Sequence, residues 1–249
     1  MIEKIRDVTV LRRPGSNDLL FAFDVIGGIG PQPYDSVRAE PEEVGYFGAR
    51  VVLIELLALG AMPLFLADLL TLPWQGAGEG VVCGMRDLVA DAGLQTLPVT
   101  GSTEENVSAL ATGAGFVAVG EASEGGLRHG LALPGDSLYL LGRPKSAPRD
   151  VVRRDDPEIV SLKDLRRAIA DPRVKEVLPL GSHGLAQEFG ELAQRGLGPD
   201  ELSALPRERV FASAGPTTAV LLIADPLWQP EAGGAPILPL GRLKATGRR

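Results

Sequence analysis

The chain has 249 residues, of which 45% are hydrophobic and 23% are charged, a composition typical of a globular protein with a sizeable core. Its 25 basic and 32 acidic residues give a formal net charge of -7, which argues against a general attraction for nucleic acids. One cysteine and two histidines argue against a disulfide, a cysteine-based zinc cluster and a histidine-rich metal site. A site for a phosphorylated small molecule remains open, because a divalent cation can supply positive charge.

The amino-terminal segment is charged within its first seven residues, which is not typical of a signal peptide. The longest apolar stretch, residues 51–59, is interrupted by Glu55 and is too short to span a bilayer. These features predict a cytoplasmic protein with no membrane partner.

Strands and helices alternate through the first half of the chain. Residues 8–11 and 19–24 read as two strands around a polar turn, and the second strand leads into a glycine-rich loop. Pro41 begins a helix that ends near Gly60, because proline is favoured in the first helical turn. The other predicted elements are a buried strand, a helix and two short strands, at residues 63–72, 78–92, 96–99 and 112–120.

Residues 122–130 are short, polar and rich in glycine, so we expect two domains, residues 1–124 and 125–249. The second half contains a strand, two helices and a strand, at residues 137–141, 162–170, 184–195 and 218–224. Several prolines from Pro226 onward predict irregular chain on the surface. The mixture indicates an α/β or α+β fold of two layers.

Four carboxylates border or interrupt apolar runs: Asp7, Asp24, Glu55 and Asp68. A buried isolated carboxylate is costly unless it is paired, protonated or bound to a metal. Carboxylate oxygens without histidine or cysteine are the ligands that Mg²⁺ prefers, usually together with substrate phosphates. Asp7 lies near an exposed terminus, where a solvated carboxylate is ordinary.

The other three carboxylates also have structural interpretations. Asp24 follows a strand and can accept hydrogen bonds from the amides of the glycine loop. Glu55 can form an ion pair with Arg50 or with Arg86 of the next helix. Asp68 is the sharpest anomaly, because its strand offers no cation.

A polar loop with the sequence VTGSTEEN, at residues 99–106, follows the strand predicted at residues 96–99. Its amides, hydroxyls and carboxylates can hold a phosphate or Mg²⁺, although the same residues also form ordinary turns. The loop Gly27-Gly28-Ile29-Gly30 matches neither the Walker pattern nor the dinucleotide fingerprint.

Several of these segments resemble one family. They are DVTV, FAFDVIGGIG, LLALGAMPLFLADLL and LPVTGSTEEN in the first half, and LPGDSLYLLGRP, VLPLGSHGLAQEFGELA and SAGPTTAVLLIAD in the second. They are similar to the aminoimidazole ribonucleotide synthetase-related (PurM-like) superfamily, which includes thiamine-monophosphate kinase and selenophosphate synthetase. The resemblance covers most of the chain, from about Asp7 to Asp225.

The resemblance implies a two-domain PurM-like fold, in which an N-terminal mixed sheet with helices dimerises and a C-terminal α/β domain follows. It also implies ATP at the interface of a homodimer, with Mg²⁺ on the carboxylates of Asp7, Asp24, Glu55 and Asp68. Thr103 falls on the threonine after the family's Gly-Gly-acid motif. The residues expected to contact the nucleotide are Gly27, Gly28, Ser102, Thr103, Glu105 and Asn106.

This chain departs from the family pattern at three places. Ser102 replaces the acidic residue of the Gly-Gly-acid motif, Glu55 replaces an aspartate, and residues 180–184 (LGSHG) replace an Asp-x-Ser-Asp-Gly turn. These departures argue against thiamine-monophosphate kinase and selenophosphate synthetase. The short chain, the GSTEEN loop and the LPLGSHGLA turn look most similar to α-ribazole kinases, which serve cobalamin lower-ligand salvage.

The implied reaction is transfer of the γ-phosphoryl group of ATP to a hydroxyl of a nucleoside-like molecule, bound between the domains near Ser182 and His183. Mg²⁺ on the carboxylates would neutralise phosphate charge. Glu104 would complete the metal shell or phosphate loop, and His183 could act as general base. A lone loop histidine is more often a surface residue.

Two hypotheses stay open: an ATP-dependent small-molecule kinase, close to α-ribazole kinase or to thiamine-monophosphate kinase, and a non-catalytic nucleotide-binding homologue. Retention of all four carboxylates favours the enzyme, since burying them without use is costly.

Overall fold

The computed structural model describes residues 1–200, 207–231 and 233–246. The chain divides into two compact units, Met1–Leu127 and Arg128–Arg249. No helix in these described ranges is long and apolar enough to cross a membrane.

Ten regular elements make up the first unit. They are β1 (Ile2–Ile5), β2 (Val8–Leu11), β3 (Asp18–Gly27), β4 (Ile29–Gly30), β5 (Val37–Arg38), α1 (Pro41–Ala58), β6 (Met62–Leu70), α2 (Glu79–Asp91), β7 (Val99–Thr103) and β8 (Gly113–Ala122). Six of them form one sheet in the order β1-β2-β3-β8-β6-β7. All its pairs are antiparallel except β6 with β7, which α2 connects, and β4 pairs separately with β5.

One face of this sheet packs against α1 and α2, and the two helices approach each other closely. A Cβ atom added at Gly45 would come within 3.0 Å of the Val81 backbone, and one added at Gly84 would do the same to the Glu42 backbone. The contact is therefore between backbones, with no side chain between them at these two points.

The opposite face of the sheet is apolar and open. Alternation along a strand puts its residues in turn on either face. The exposed large hydrophobic residues of β3 and β6 on this face are Phe23, Val25, Met62, Phe65 and Leu69. They are between 36% and 74% exposed. Monomeric proteins rarely expose so contiguous an apolar surface.

The second unit has eight described elements. They are β9 (Ser137–Gly142), α3 (Leu162–Ala170), β10 (Val174–Pro179), α4 (Gly184–Gln194), β11 (Leu197–Pro199), α5 (Arg207–Val210), β12 (Ala219–Ala224) and β13 (Ile237–Ala245). The strands form an antiparallel sheet in the order β10-β12-β9-β13-β11. Leu138 and Leu221 of the sheet share a core with Leu185, Phe189 and Leu192 of α4.

The structure corrects the expected irregular tail after Pro226. Residues 237–245 form β13, an interior strand between β9 and β11. A proline cannot donate to a strand ladder, but Pro239 lies at a register shift between Pro239 and Gly241, where the ladder is already interrupted. Strands β1, β4, β5, β10 and β11 and helix α5 were not predicted, and β7 lies at Val99–Thr103 rather than at residues 96–99.

Candidate functional site

Four residues form one row across the first sheet. Asp24 of β3 pairs in register with Phe116 of β8, Phe116 with Asp68 of β6, and Asp68 with Gly101 of β7. Residues in register share a face, and this face carries the helices. The Cα atoms of Asp24 and Asp68 are two strand spacings apart, about 10 Å.

Asp68 is the most unusual member of the row. The residue is only 1% exposed, and its Oδ2 atom has no hydrogen-bond partner. Burial raises the pKa of its carboxyl group to about 6. An ionised carboxylate without compensation is costly in such a place, so this oxygen suits a bound cation.

Asp24 and Asp7 lie close enough for their charges to interact. Burial raises the pKa of Asp24, and the negative charge of Asp7 raises it further. Asp7 occupies the turn between β1 and β2, its side chain is 67% exposed, and its Oδ1 lies 3.9 Å from Lys4 Nζ. Its environment is thus solvated, in contrast to that of Asp68.

Glu55 lies apart from the row. It is buried in α1, where it makes a polar or electrostatic contact, and it lies seven residues beyond Gly48. The backbone of Gly48 packs against the Phe116 ring, so Glu55 is about 10 Å further along the helix axis. Among the residues that the structure describes, no three His, Cys, Asp or Glu side chains form a metal-binding group. The metal set Asp7, Asp24, Glu55 and Asp68 therefore remains a prediction.

The two predicted ligand loops lie at the same end of the sheet. Gly27, the last residue of β3, pairs with Gly113 of β8, and Leu70 of β6 pairs with Thr103 of β7. The Gly28 amide donates to the Thr112 carbonyl at 2.9 Å. The glycine loop and residues 102–106 thus lie at the same end of the sheet, with β8 and β6 between the strands that carry them.

Both carboxylates of the 102–106 loop accept local hydrogen bonds. The Asn106 amide donates to Glu104 Oε1 at 2.6 Å, and the Trp74 amide donates to Glu105 Oε1 at 2.8 Å. Thr103 is in register with Leu70, which is two residues beyond Asp68 in β6. Thr103 therefore lies on the same face of the sheet as Asp68. Ser102 pairs with Leu69 and lies on the open apolar face.

Two neighbouring residues were not predicted. Asp35 accepts hydrogen bonds from the Thr112 amide at 2.7 Å, the Thr112 hydroxyl at 2.6 Å and the Gln32 amide at 2.8 Å. Burial alone would raise the pKa of Asp35, but these bonds outweigh it and lower the pKa. Gly101 lies against Asp68, and a glycine within a strand was the sequence signal for such a close approach.

His183 belongs to the second unit, where it is exposed at the start of α4 and makes no side-chain cap of that helix. Its neighbours Gly181 and Ser182 are also exposed, while the Gly181 carbonyl accepts from the Ala214 amide at 3.0 Å. The general-base role of His183 remains a prediction.

Comparisons with known proteins agree with this fold. Residues 6–121 match the family model described as AIR synthase related protein, N-terminal domain. The thiamine monophosphate kinase of Aquifex aeolicus is 18% identical, with a TM-score of 0.67 over 98% of this chain and 90% of that chain. A structure of AaThiL complexed with AMPPCP and TMP is 16% identical, with a TM-score of 0.61 over 96% and 84%. T. maritima PurL complexed with ATP is 16% identical, with a TM-score of 0.60 over 96% and 42%.

No curated protein sequence matches the chain. At these identities the solved structures establish the fold alone, and they confirm the predicted PurM-like mixed α/β class.

Proposed function

We propose, from the AIR synthase related N-terminal domain at residues 6–121 and the fold shared with thiamine monophosphate kinase, that this protein is an ATP- and Mg²⁺-dependent kinase of a small molecule. One observation carries the proposal: the buried carboxylate of Asp68, in register with Gly101 just before the 102–106 loop, leaves Oδ2 without a partner. A structural carboxylate at that depth would be paired.

In this proposal the carboxylates and the loops have different roles. Asp68 and Asp24 hold cations at separate positions, because the Phe116 strand lies between them. Bound Mg²⁺ supplies positive charge that offsets the phosphates during transfer. Gly27, Gly28 and Thr103 lie at the same end of the sheet, and Glu104, Glu105 and Asn106 shape the loop beside Thr103.

The acceptor is the less defined part of the proposal. AaThiL was solved with TMP, which supports a thiamine-monophosphate kinase-like acceptor better than the α-ribazole expected from the GSTEEN and LPLGSHGLA segments. His183 is exposed and makes no helix cap, so it is available as a general base where the acceptor group is a hydroxyl, as in a nucleoside. Thiamine monophosphate would accept the phosphoryl group on its phosphate oxygen, which needs no such base.

The second candidate function is that of a non-catalytic nucleotide-binding homologue. It is favoured by Ser102, which stands where the family has an acid and lies on the face away from Asp68. Both candidates bind nucleotide, but only the kinase consumes it.

The deciding experiment measures Mg²⁺-dependent ATP consumption with a panel that includes thiamine monophosphate, α-ribazole and other nucleosides. Calorimetry of AMPPCP with and without Mg²⁺ reports binding separately. The kinase proposal requires acceptor-dependent turnover, and binding without turnover for any acceptor supports the non-catalytic homologue.

Asp68→Asn tests the carboxylate directly. This substitution should abolish the Mg²⁺-dependent part of AMPPCP binding. Asp18→Asn is the matched control, because Asp18 is also a buried aspartate of this sheet, 2% exposed, but is paired with Arg12. The control should keep Mg²⁺-dependent binding, and equal losses in both variants would contradict the role of Asp68.

We further propose that the protein is a homodimer through the open apolar face, as the resemblance implies. Phe23, Val25 and Leu69 are each more than half exposed there, and burying them against a second copy would remove that surface from water. Sedimentation at micromolar concentration should give a dimer, and Val25→Asp should give a monomer. A monomeric wild-type protein would contradict this part of the proposal.

A further inference from the structure

Gly101 occupies a position in β7 that does not need glycine for its backbone. Its φ is not among the positive values of the chain, so any L-residue could adopt this conformation. Glycine within a strand is less favourable than alanine, because it loses more conformational freedom on folding. The reason for glycine here must therefore be space.

The space at Gly101 is filled by Asp68. A Cβ atom added at Gly101 would come closer than 3.0 Å to Cγ, Oδ1 and Oδ2 of Asp68, a distance that real Cβ atoms essentially never show. All three terminal atoms of the carboxyl group therefore lie over the Gly101 backbone.

The other side of Asp68 is closed by an aromatic ring. Phe116 is the in-register neighbour of Asp68 on β8, and its ring packs so tightly under α1 that a Cβ atom at Gly48 would collide with it. The carboxyl group consequently has room toward β7 and none toward β8.

We propose that Gly101 is a positioning residue, whose missing side chain holds the Asp68 carboxylate toward β7 and the 102–106 loop. The inference rests on the proposed function, because it assigns Gly101 a part in orienting a cation ligand. Any side chain at residue 101 would force Asp68 out of that orientation.

Gly101→Ala tests the inference, with Gly115→Ala as its matched control. Gly115 lies in β8 of the same sheet, and a Cβ atom there would find its nearest neighbour, Leu69 Cβ, at an ordinary 3.5 Å. In calorimetry with Mg²⁺ and AMPPCP, we expect Gly101→Ala to weaken binding about 10-fold or more, the cost of a displaced charged contact. Gly115→Ala should bind like the wild-type protein.

A stability measurement without ligand separates the steric argument from the function. Gly101→Ala should lower the Tm by about 5 °C, as overpacking does, and the same substitution in an Asp68→Ala background should lower it far less. Equal losses of Tm in the two backgrounds, or unchanged AMPPCP binding in Gly101→Ala, would overturn the positioning role. A wild-type protein that fails to bind AMPPCP with Mg²⁺ would overturn the proposed function, whatever the Tm values are.

Discussion

Two buried carboxylates differ in their partners: Asp68 in β6 of the first unit and Glu176 in β10 of the second. Glu176 is 2% exposed and accepts hydrogen bonds from Arg195 Nη1 at 2.8 Å, Arg195 Nη2 at 2.6 Å and the Ala132 amide at 2.6 Å. Asp68 is equally buried, yet Oδ2 has no hydrogen-bond partner. In the second unit, groups of the chain itself donate hydrogen bonds to both oxygens of Glu176. In the first unit, Asp68 Oδ2 has no such donor and can bind a ligand.

The pKa values of the two carboxyl groups are shifted in opposite directions. Burial would raise the pKa of Glu176, but the hydrogen bonds and charge of Arg195 and the Ala132 amide lower it overall. At Asp68, burial raises the pKa to about 6 against only a bond from its own amide. A buried carboxylate with a complete set of partners thus supports the fold, while an incomplete set points to a ligand.

The largest expected effect is on the partnered carboxylate. Arg195→Ala leaves Glu176 buried without its counter-charge, so it should lower the free energy of unfolding by about 3–5 kcal/mol. Denaturant unfolding of the two proteins at pH 7 checks this. A loss below about 1 kcal/mol would mean that Glu176 is solvated after all and that the comparison with Asp68 fails.

Asp68→Asn should have the opposite effect on stability. The variant removes a buried charge while keeping the shape, so its free energy of unfolding at pH 8 should exceed that of the wild type by about 2 kcal/mol. The measurement is denaturant unfolding without Mg²⁺ or nucleotide. A variant markedly less stable than the wild type would indicate that the charge of Asp68 has a structural partner.

The pH dependence sharpens the contrast, because the pKa shifts have opposite signs. The raised pKa of Asp68 means that the folded state binds the proton more tightly than the unfolded state, so stability falls as pH rises from about 4 to about 6 and is level above. The advantage of Asp68→Asn should therefore vanish near pH 4. Glu176, with its lowered pKa, contributes stability above about pH 4.5 that is lost as pH falls through its folded pKa, so Glu176→Gln should approach the wild type only in acid.

The smallest effect is expected at Asp35, a partnered carboxylate beside the candidate site. Asp35→Asn keeps one of the two oxygen acceptors and so loses part of the three hydrogen bonds from Thr112 and Gln32. The substitution should lower the free energy of unfolding by about 1 kcal/mol. Thermal melts of the variant and of Asp68→Asn should then shift in opposite directions. If the two Tm shifts had the same sign, then nearness to the site, rather than the hydrogen-bond partners of each carboxylate, would determine the effect on stability.

The sequence predicted the fold well where the local pattern was strong. Asp68 could be singled out because a charge within an apolar run is anomalous without any structure, and α1 could be bounded by Pro41 and Gly60. The interior strand β13 could not, because its prolines favour irregular chain unless one knows that Pro239 meets a register shift. Asp35 was missed because its partner Thr112 is 77 residues away in sequence.

The close contact of α1 and α2 limits how sequences of this fold can diverge. Side chains can change rotamer to admit a larger neighbour, but the backbone atoms of Val81 and Glu42 that face Gly45 and Gly84 cannot. A single replacement of either glycine must therefore move one helix as a whole. We expect substitutions in this helix pair to accumulate on its outward positions, and a homologue without one of these glycines to differ in the separation of the two helices.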